Sequence, residues 1–274
     1  DGFHTIWSLM HTVGLNDELT LTMQPAAASR IMLRCDQADL AVDQTNLVYR
    51  AADLVLARVN RTIDLSISLT KRIPMGAGLG GGSSDAAATI LGLNRLLDLK
   101  WSVEQMSEVG QQLGSDVPFF FVAPAACVTG RGEHVRPVQV TGSRWIVLVS
   151  PGFPVPTKWA YQQLAASRAG VRPLSAAVQT LGQRSGLDWS EVVPLVENDF
   201  EAPVFAHHPV LGQIKSQLLS LGAEVALLSG SGATMFGVFR DQSAAQQAAD
   251  VFGRNPGMTA YAVPAAGMPS MTVL

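Results

Sequence analysis

The chain has 274 residues, 19 Lys and Arg against 22 Asp and Glu, a net charge of −3, and 15% charged against 47% hydrophobic residues. Soluble proteins average about 25% charged residues, so this composition excludes a disordered chain and predicts a large buried core. The acidic balance, with no Lys/Arg cluster, gives no electrostatic footprint for nucleic acid or an anionic membrane, and neither is expected as a partner.

The apolar stretch 117–128 is interrupted by Pro118 and Pro124 and falls short of the roughly 20 residues of a membrane helix. Cys35 and Cys127 make neither a disulfide framework nor a metal-ligand spacing. Both read as small buried hydrophobes in an intracellular, cytoplasmic protein. Asp1-Gly2-Phe3-His4 reads as the middle of a turn, so the natural start is expected upstream.

In chain order, alternation and β-branching predict strands over 19–23 and 31–35. Residues 46–58 follow as a helix with Leu47, Ala51, Leu54 and Val55 on one face. A strand over 63–69 precedes a second helix over 84–97, whose inner face carries Ala87, Ile90, Leu91, Asn94 and Leu97. Ser102 and Gln105 form a capping-box pattern for a helix that runs to Leu113 and stops at Gly114. Strands are expected at 127–129, 135–140 and 146–150, then helices at 158–167, 174–181 and 210–221. Strands 225–228 and 235–239, helix 243–252 and strand 259–263 complete the series, with a small apolar tail, 264–274, read as loosely ordered. Strands and helices mixed without regular alternation argue for an α+β fold. Three prolines in residues 151–156 mark a connector, which divides the chain into domains 1–150 and 151–274 around a shared cleft.

The most informative segment is Pro74-Met75-Gly76-Ala77-Gly78-Leu79-Gly80-Gly81-Gly82-Ser83-Ser84, between a strand and a helix. Glycine loses more backbone freedom on folding than any other residue, so five in seven positions need a sharp turn or a close ligand. A glycine loop opening into a helix N-terminus presents N–H groups and a helix dipole suited to a polyphosphate. Gly76, Gly78 and Gly81 satisfy G-x-G-x-x-G, but the helix is followed by Trp101-Ser102 and another helix, not by the strand and acidic residue of a dinucleotide site. No Gly-Lys-Ser/Thr follows, which excludes the Walker pattern; a plain flexible turn leaves the glycines and the two hydroxyls unexplained. Asp116, past a helix end and before Pro118-Phe119-Phe120-Phe121, reads either as a partly desolvated general base or as a solvated helix-end residue.

The run from Pro74 to Ala88 resembles the phosphate motif of the GHMP kinases, small-molecule kinases named for galactose, homoserine, mevalonate and phosphomevalonate. Asp1-Gly2-Phe3-His4, Gly114-Ser115-Asp116-Val117-Pro118-Phe119-Phe120 and Leu228-Ser229-Gly230-Ser231-Gly232-Ala233 sharpen the resemblance, which spans nearly the whole chain. They point to the branch of that family acting on a cytidyl-diphospho-methylerythritol in non-mevalonate isoprenoid (terpenoid) biosynthesis. The resemblance implies a two-domain α+β GHMP kinase fold with the active site in the cleft. It implies ATP-dependent phosphorylation of the substrate's 2-hydroxyl, with Mg²⁺, by a monomer or weak homodimer.

Carried onto these residues, Asp116 is the general base, and Pro74, Gly76, Gly78, Leu79, Gly80, Gly81, Gly82, Ser83 and Ser84 hold ATP. Ser84 also reaches Mg²⁺, and Asn46 and Leu47 line the adenine, although Asn46 reads equally as a helix N-cap. Phe3, His4 and Tyr161 take the cytosine; His4 also fits a turn histidine, and Trp159 competes with Tyr161. Gly230, Ser231 and Gly232 close over the substrate phosphates, against the alternative of a simple hairpin. Glu197-Asn198-Asp199-Phe200-Glu201 reads as support near the cleft, and His207-His208 as a surface helix cap. The family also carries a lysine and an asparagine on a strand preceding the Asp-Gly-Phe-His turn, and no residue of this sequence is assigned those roles. The rival expectations are a homoserine- or mevalonate-type kinase, a nonenzymatic nucleotide sensor on the same scaffold, and, more distantly, a dehydrogenase.

Overall fold

The computed structural model describes residues 5–59, 61–168, 170 and 173–265. The first half runs β1 (Ile6–His11), β2 (Glu18–Pro25), β3 (Arg30–Cys35), α1 (Leu47–Arg58), β4 (Ile63–Thr70), α2 (Gly81–Leu96), α3 (Val103–Gln111), α4 (Phe119–Val122), β5 (Ala125–Gly130), β6 (His134–Pro137) and β7 (Gln139–Thr141). The second runs β8 (Trp145–Ser150), α5 (Thr157–Ser167), α6 (Ala176–Gln183), β9 (Gly186–Asp188), α7 (Trp189–Val192), α8 (Glu201–His207), α9 (Pro209–Ser220), β10 (Val225–Leu228), β11 (Met235–Phe239), α10 (Gln242–Gly253) and β12 (Thr259–Pro264). No helix among the described residues is long and apolar enough to cross a membrane.

β4 sits between antiparallel β2 and parallel β3. Its period-2 pattern sends Ile63, Leu65, Ile67 and Leu69 to one face, where they pack on Val48, Ala51 and Val55 of α1 and Ala86, Ile90 and Leu93 of α2. Fully burying a leucine or isoleucine stabilises by about 1.5–3 kcal/mol, so this face anchors the strand and helix that flank the glycine loop. A smaller sheet, β1-β5-β6, carries α4. In the second half the order is β10-β11-β8-β12, with all pairs antiparallel. Val147 and Val149 of β8 face α9 and α10, while Ile146 and Leu148 face the first half. β8, which a division at 150/151 leaves with the first half, thus pairs with strands of the second.

The predicted strands and helices recur with shifted ends, and the differences have local causes. α2 starts at Gly81 rather than at 84, because the glycines themselves make its first turn, which helix propensity argues against. The expected strand 135–140 breaks into β6 and β7 beyond Pro137, which has no N–H for a ladder. β1, with the unalternating sequence Ile-Trp-Ser-Leu-Met-His, and the three-residue β9 carry too little pattern to predict, as do the short α4, α7 and α8. Cys127 is buried as expected, but Cys35 is only half-buried, its Sγ accepting the Gln37 N–H at 3.4 Å. Residues 266–274 of the expected loose tail lie outside the described residues.

The two halves meet backbone to backbone. Ser229 Oγ donates to the Gly78 carbonyl at 2.8 Å, and the Thr234 N–H donates to the Ala77 carbonyl at 3.1 Å. Leu79 packs into the cluster of Ile146, Leu148, Trp189, Val238 and Val263 on the second sheet. Gly78 has φ +76, and a Cβ there would overlap the Ser229 carbonyl oxygen and lie 2.8 Å from that of Gly232. A left-handed non-glycine residue costs about 1–2 kcal/mol and overpacking about 1–3 more. Gly78→Ala is therefore expected to lower unfolding stability by about 2–5 kcal/mol in a denaturant titration.

Candidate functional site

The glycine loop rises from the end of β4 and turns into α2 through Gly76, Gly78 and Gly80, all in the left-handed region (φ +63, +76 and +67). Gly80 is the N-cap of α2 and supplies no side-chain cap. The first intrahelical bond runs from the Ser84 N–H to the Gly80 carbonyl at 2.9 Å, so the N–H groups of Gly81, Gly82 and Ser83 precede the helical ladder and suit an anion. Ser84 Oγ donates to the Gly81 carbonyl at 2.7 Å, which leaves its oxygen lone pairs available as acceptors. Phe120 supports the turn from α4, its ring 3.2 Å from where a Cβ of Gly80 would stand.

α1 begins beside this turn. Leu47 Cδ1 lies 3.4 Å from the position a Cβ of Gly82 would take. Asn46 is buried and its amide is used at both ends: Oδ1 accepts the Val48 N–H at 2.8 Å, and Nδ2 donates to the Ala41 carbonyl at 2.7 Å. The capping alternative for Asn46 is thus realised.

Asp116 follows α3 on the segment Gly114-Ser115-Asp116-Val117, where Val117 is fully buried and donates its N–H to the Gly114 carbonyl at 3.3 Å. Gly114 abuts the first turn of α2, since a Cβ there would lie 4.0 Å from Ser83 Oγ. Asp116 is open to solvent, yet enough protein surrounds it that desolvation raises its carboxyl above the ordinary 3.8. Tyr161 of α5 stands near it: burial, and then the Asp116 charge, push its hydroxyl above the ordinary 10.0. The Tyr161 ring packs edge-on against Phe200, with centroids 4.9 Å apart. Trp159, its rival, is occupied by His207 and His208, at 5.0 and 5.7 Å, beside the α8–α9 junction where both histidines sit.

The second glycine turn is held from three sides. Ser231 Oγ and Thr157 Oγ1 of α5 are 3.1 Å apart, and Ser229 bonds the first loop. Asn198 Nδ2 donates to the Leu228 and Gly230 carbonyls at 2.7 and 2.8 Å, and Glu201 accepts the Leu228 N–H at 3.0 Å. The segment 197–201 is thus support for this turn, as its resemblance to the family's segment implied. Asp116, Tyr161, the start of α2 and Gly230-Ser231-Gly232 come together at the seam; Phe3 and His4 lie outside the described residues.

One group escaped the sequence reasoning. Lys71, at the foot of the loop, is ion-paired with Asp17 and with Asp85, the latter at 2.8 Å, and all three side chains are at most 6% exposed. Burial works against the Lys71 charge, but the two carboxylates hold its ammonium above the ordinary 10.5. Burial likewise pushes Asp85 up to about 7 against the pull of Lys71. The only trace in the sequence is charge beside a glycine loop, which ordinarily means a solvated surface.

No group of three His, Cys, Asp or Glu among the described residues is arranged to cage a metal ion. Mg²⁺ usually keeps several waters and takes one or two protein oxygens plus phosphates, so the Ser84 hydroxyl at the mouth of the cradle fits an ion carried in by a nucleotide.

The family description for the N-terminal domain of GHMP kinases matches residues 46–123, and that for their C-terminal domain matches 177–257. A 4-diphosphocytidyl-2-C-methyl-D-erythritol kinase of Syntrophotalea carbinolica is 41% identical over 263 residues, covering 96% of this chain and 91% of the relative. One of the same name from Solibacter usitatus is 40% identical over 257 residues, covering 93% and 80%. The crystal structure of a 4-(cytidine 5'-diphospho)-2C-methyl-D-erythritol kinase superposes with a TM-score of 0.76 at 30% identity, over 95% of this chain and 90% of that one. A homoserine kinase from Cytophaga hutchinsonii, with a TM-score of 0.65 at 19% identity over 92% and 86%, shares the fold. With both domains matched and relatives of this identity along nearly its whole length, the chain belongs to the GHMP kinases, in the family of the 4-diphosphocytidyl-2-C-methyl-D-erythritol kinases.

Proposed function

We infer that this chain phosphorylates the 2-hydroxyl of 4-diphosphocytidyl-2-C-methyl-D-erythritol with ATP, a step of non-mevalonate isoprenoid biosynthesis. The observation that carries the reading is the meeting of Asp116 and Tyr161 with an uncapped, glycine-lined start of α2. Phosphoryl transfer asks mainly for positioning and charge stabilisation, and these elements supply both. Asp116 accepts the substrate's hydroxyl proton while the alcohol oxygen bonds to the γ-phosphorus and the bond to the ADP oxygen breaks. The N–H groups of Gly80, Gly81, Gly82 and Ser83 and the dipole of α2 hold the phosphate charge, with Pro74, Gly76, Gly78 and Leu79 shaping the loop. When bound, Mg²⁺ neutralises the phosphates; Ser84 is its proposed protein ligand.

Leu47, oriented by the Asn46 cap, borders the adenine. Gly230, Ser231 and Gly232 face the substrate phosphates, and Tyr161, with Phe3 and His4, takes the cytosine. The two units, 1–150 and 151–274, are supported by family matches on either side of that division, with β8 the strand the first lends to the second's sheet. The reading includes a cytoplasmic enzyme, a monomer or weak homodimer, acting on a small molecule and not on nucleic acid or membrane. Its support is the unpaired cysteines and the weak net charge.

The test is phosphate transfer from ATP by the full-length protein to the cytidyl compound, with homoserine and mevalonate in parallel. Transfer to the cytidyl compound alone is expected; ATP binding with no transfer would favour the sensor reading. Asp116→Asn is expected to lower kcat by about 10²–10⁴-fold with ATP binding unchanged, and near-normal turnover would remove Asp116 as the base. Because the Asp116 carboxyl lies above 3.8 and works deprotonated, kcat/KM should rise with pH along an acid limb above that value, and Asp116→Asn should abolish the limb. Tyr161→Ala should raise KM for the cytidyl substrate by roughly one to two orders of magnitude and leave that for ATP unchanged.

A further inference from the structure

Three buried charges lie beneath the glycine loop, and each comes from a different segment. Lys71 is the first residue after β4, where the loop begins; Asp85 is the fifth residue of α2, one turn past the end of the loop; Asp17 immediately precedes β2. The Lys71 ammonium bonds both carboxylates, at 2.8 Å to Asp85, with side chains 6%, 2% and 4% exposed for Lys71, Asp17 and Asp85. The second oxygen of Asp17 accepts the Arg72 N–H at 2.6 Å and the Ile73 N–H at 2.8 Å. Asp36 accepts the Lys71 N–H at 3.0 Å from the far side. A Cβ on Gly81 would stand 3.0 Å from Ile73 Cγ2 and 3.4 Å from Lys71 Nζ, so the ammonium lies directly behind the first residue of α2.

A buried ion pair is weak evidence for stability, since well-packed apolar residues of similar size often serve as well or better. What apolar residues do not supply is direction: hydrogen bonds tie the backbone of 72–73 and the start of α2 to fixed points. Glycines cannot hold their own geometry, so a cradle of them needs its two ends fixed from outside.

We propose that Lys71, with Asp17 and Asp85, is a positioning clamp that holds the two ends of the glycine loop at the separation its N–H cradle requires. The clamp touches no ligand; it acts through the backbone of Arg72, Ile73 and Gly81. Its consequence for nucleotide affinity rests on the function proposed above, whereas its consequence for loop order does not.

The test compares the full chain with three variants. Asp85→Ala cuts the tie at the helix end, Asp85→Asn keeps an oxygen for Lys71, and Lys71→Met with Asp85→Leu, in an Asp17→Asn background, puts apolar bulk in place of that pair without leaving Asp17 as an unpaired buried charge. Hydrogen exchange is read at Arg72, Ile73 and Ser84 against Leu65 and Val147 in the two cores, and ATP affinity by calorimetry without acceptor. In Asp85→Ala and in the apolar pair, loop amides are expected to exchange at least about tenfold faster while core amides hold. Their Kd for ATP is expected to rise by about tenfold or more, as for a displacement of the order of 1 Å, while turnover assays show KM for the acceptor unchanged. Asp85→Asn is expected to stay close to the parent in both. Loop exchange unchanged in a folded Asp85→Ala or apolar-pair variant would overturn the clamp whatever the ligand. Faster loop exchange in a protein that binds no ATP would keep the clamp and overturn the nucleotide reading. An apolar pair with parental exchange and ATP affinity would reduce the cluster to packing and overturn the proposal.

Discussion

The start of α2 is left without a side-chain cap, and most of this structure follows from that constraint. The first-turn N–H groups of α2 have no side-chain partner at Gly80, and the loop before them is made of residues with little stiffness of their own. Rigidity therefore comes from the surroundings. Phe120 packs under Gly80, Leu79 enters the apolar face of the second sheet, and Ser229 and Thr234 bond the backbone at Gly78 and Ala77. Gly78 is glycine because carbonyl oxygens of the second turn occupy the space of a side chain, so the contact between the halves and the shape of the cradle are one feature.

The same economy governs the acid side of the cleft. Asp116 is held by its backbone, between buried Val117 and the close approach of Gly114 to Ser83, and not by a side-chain ion pair among the described interactions. A carboxylate positioned in this way stays free to accept a proton, and partial desolvation makes it a better base. Asp85 and Asp17, by contrast, are committed to Lys71, although Asp85 is close in sequence to the glycine loop.

Much of the fold was readable because the patterns are strong. Ile63, Leu65, Ile67 and Leu69 alternate cleanly, Ser102 and Gln105 cap α3 as their spacing predicts, and Asn46 caps α1. The elements that escaped are those whose stability is not local: β1 exists by pairing with β5, and α4, a single turn, exists by packing between the β1-β5-β6 sheet and α2. At the site, the glycine run was legible because backbone freedom is written in residue types, and Gly114-Ser115-Asp116 was singled out through the family resemblance and its place before an apolar run. The buried ion cluster was not, because Lys71, Asp17 and Asp85 look like surface charges until three distant segments are brought together.

The sequence by itself determined most of the strands and helices, that a glycine loop opens into a helix, and the resemblance that led to the family. Periodicity, capping and glycine's conformational freedom are local physics, and local physics survives in one dimension. Only the tertiary structure decided that the two glycine turns share a backbone contact at Gly78, that Asn46 spends its amide on a cap, and that Tyr161 and not Trp159 stands by Asp116. It also decided that Lys71 is buried between two acids. Each depends on which distant surfaces exclude water from one another, and burial is a property of the packed chain rather than of any residue in it.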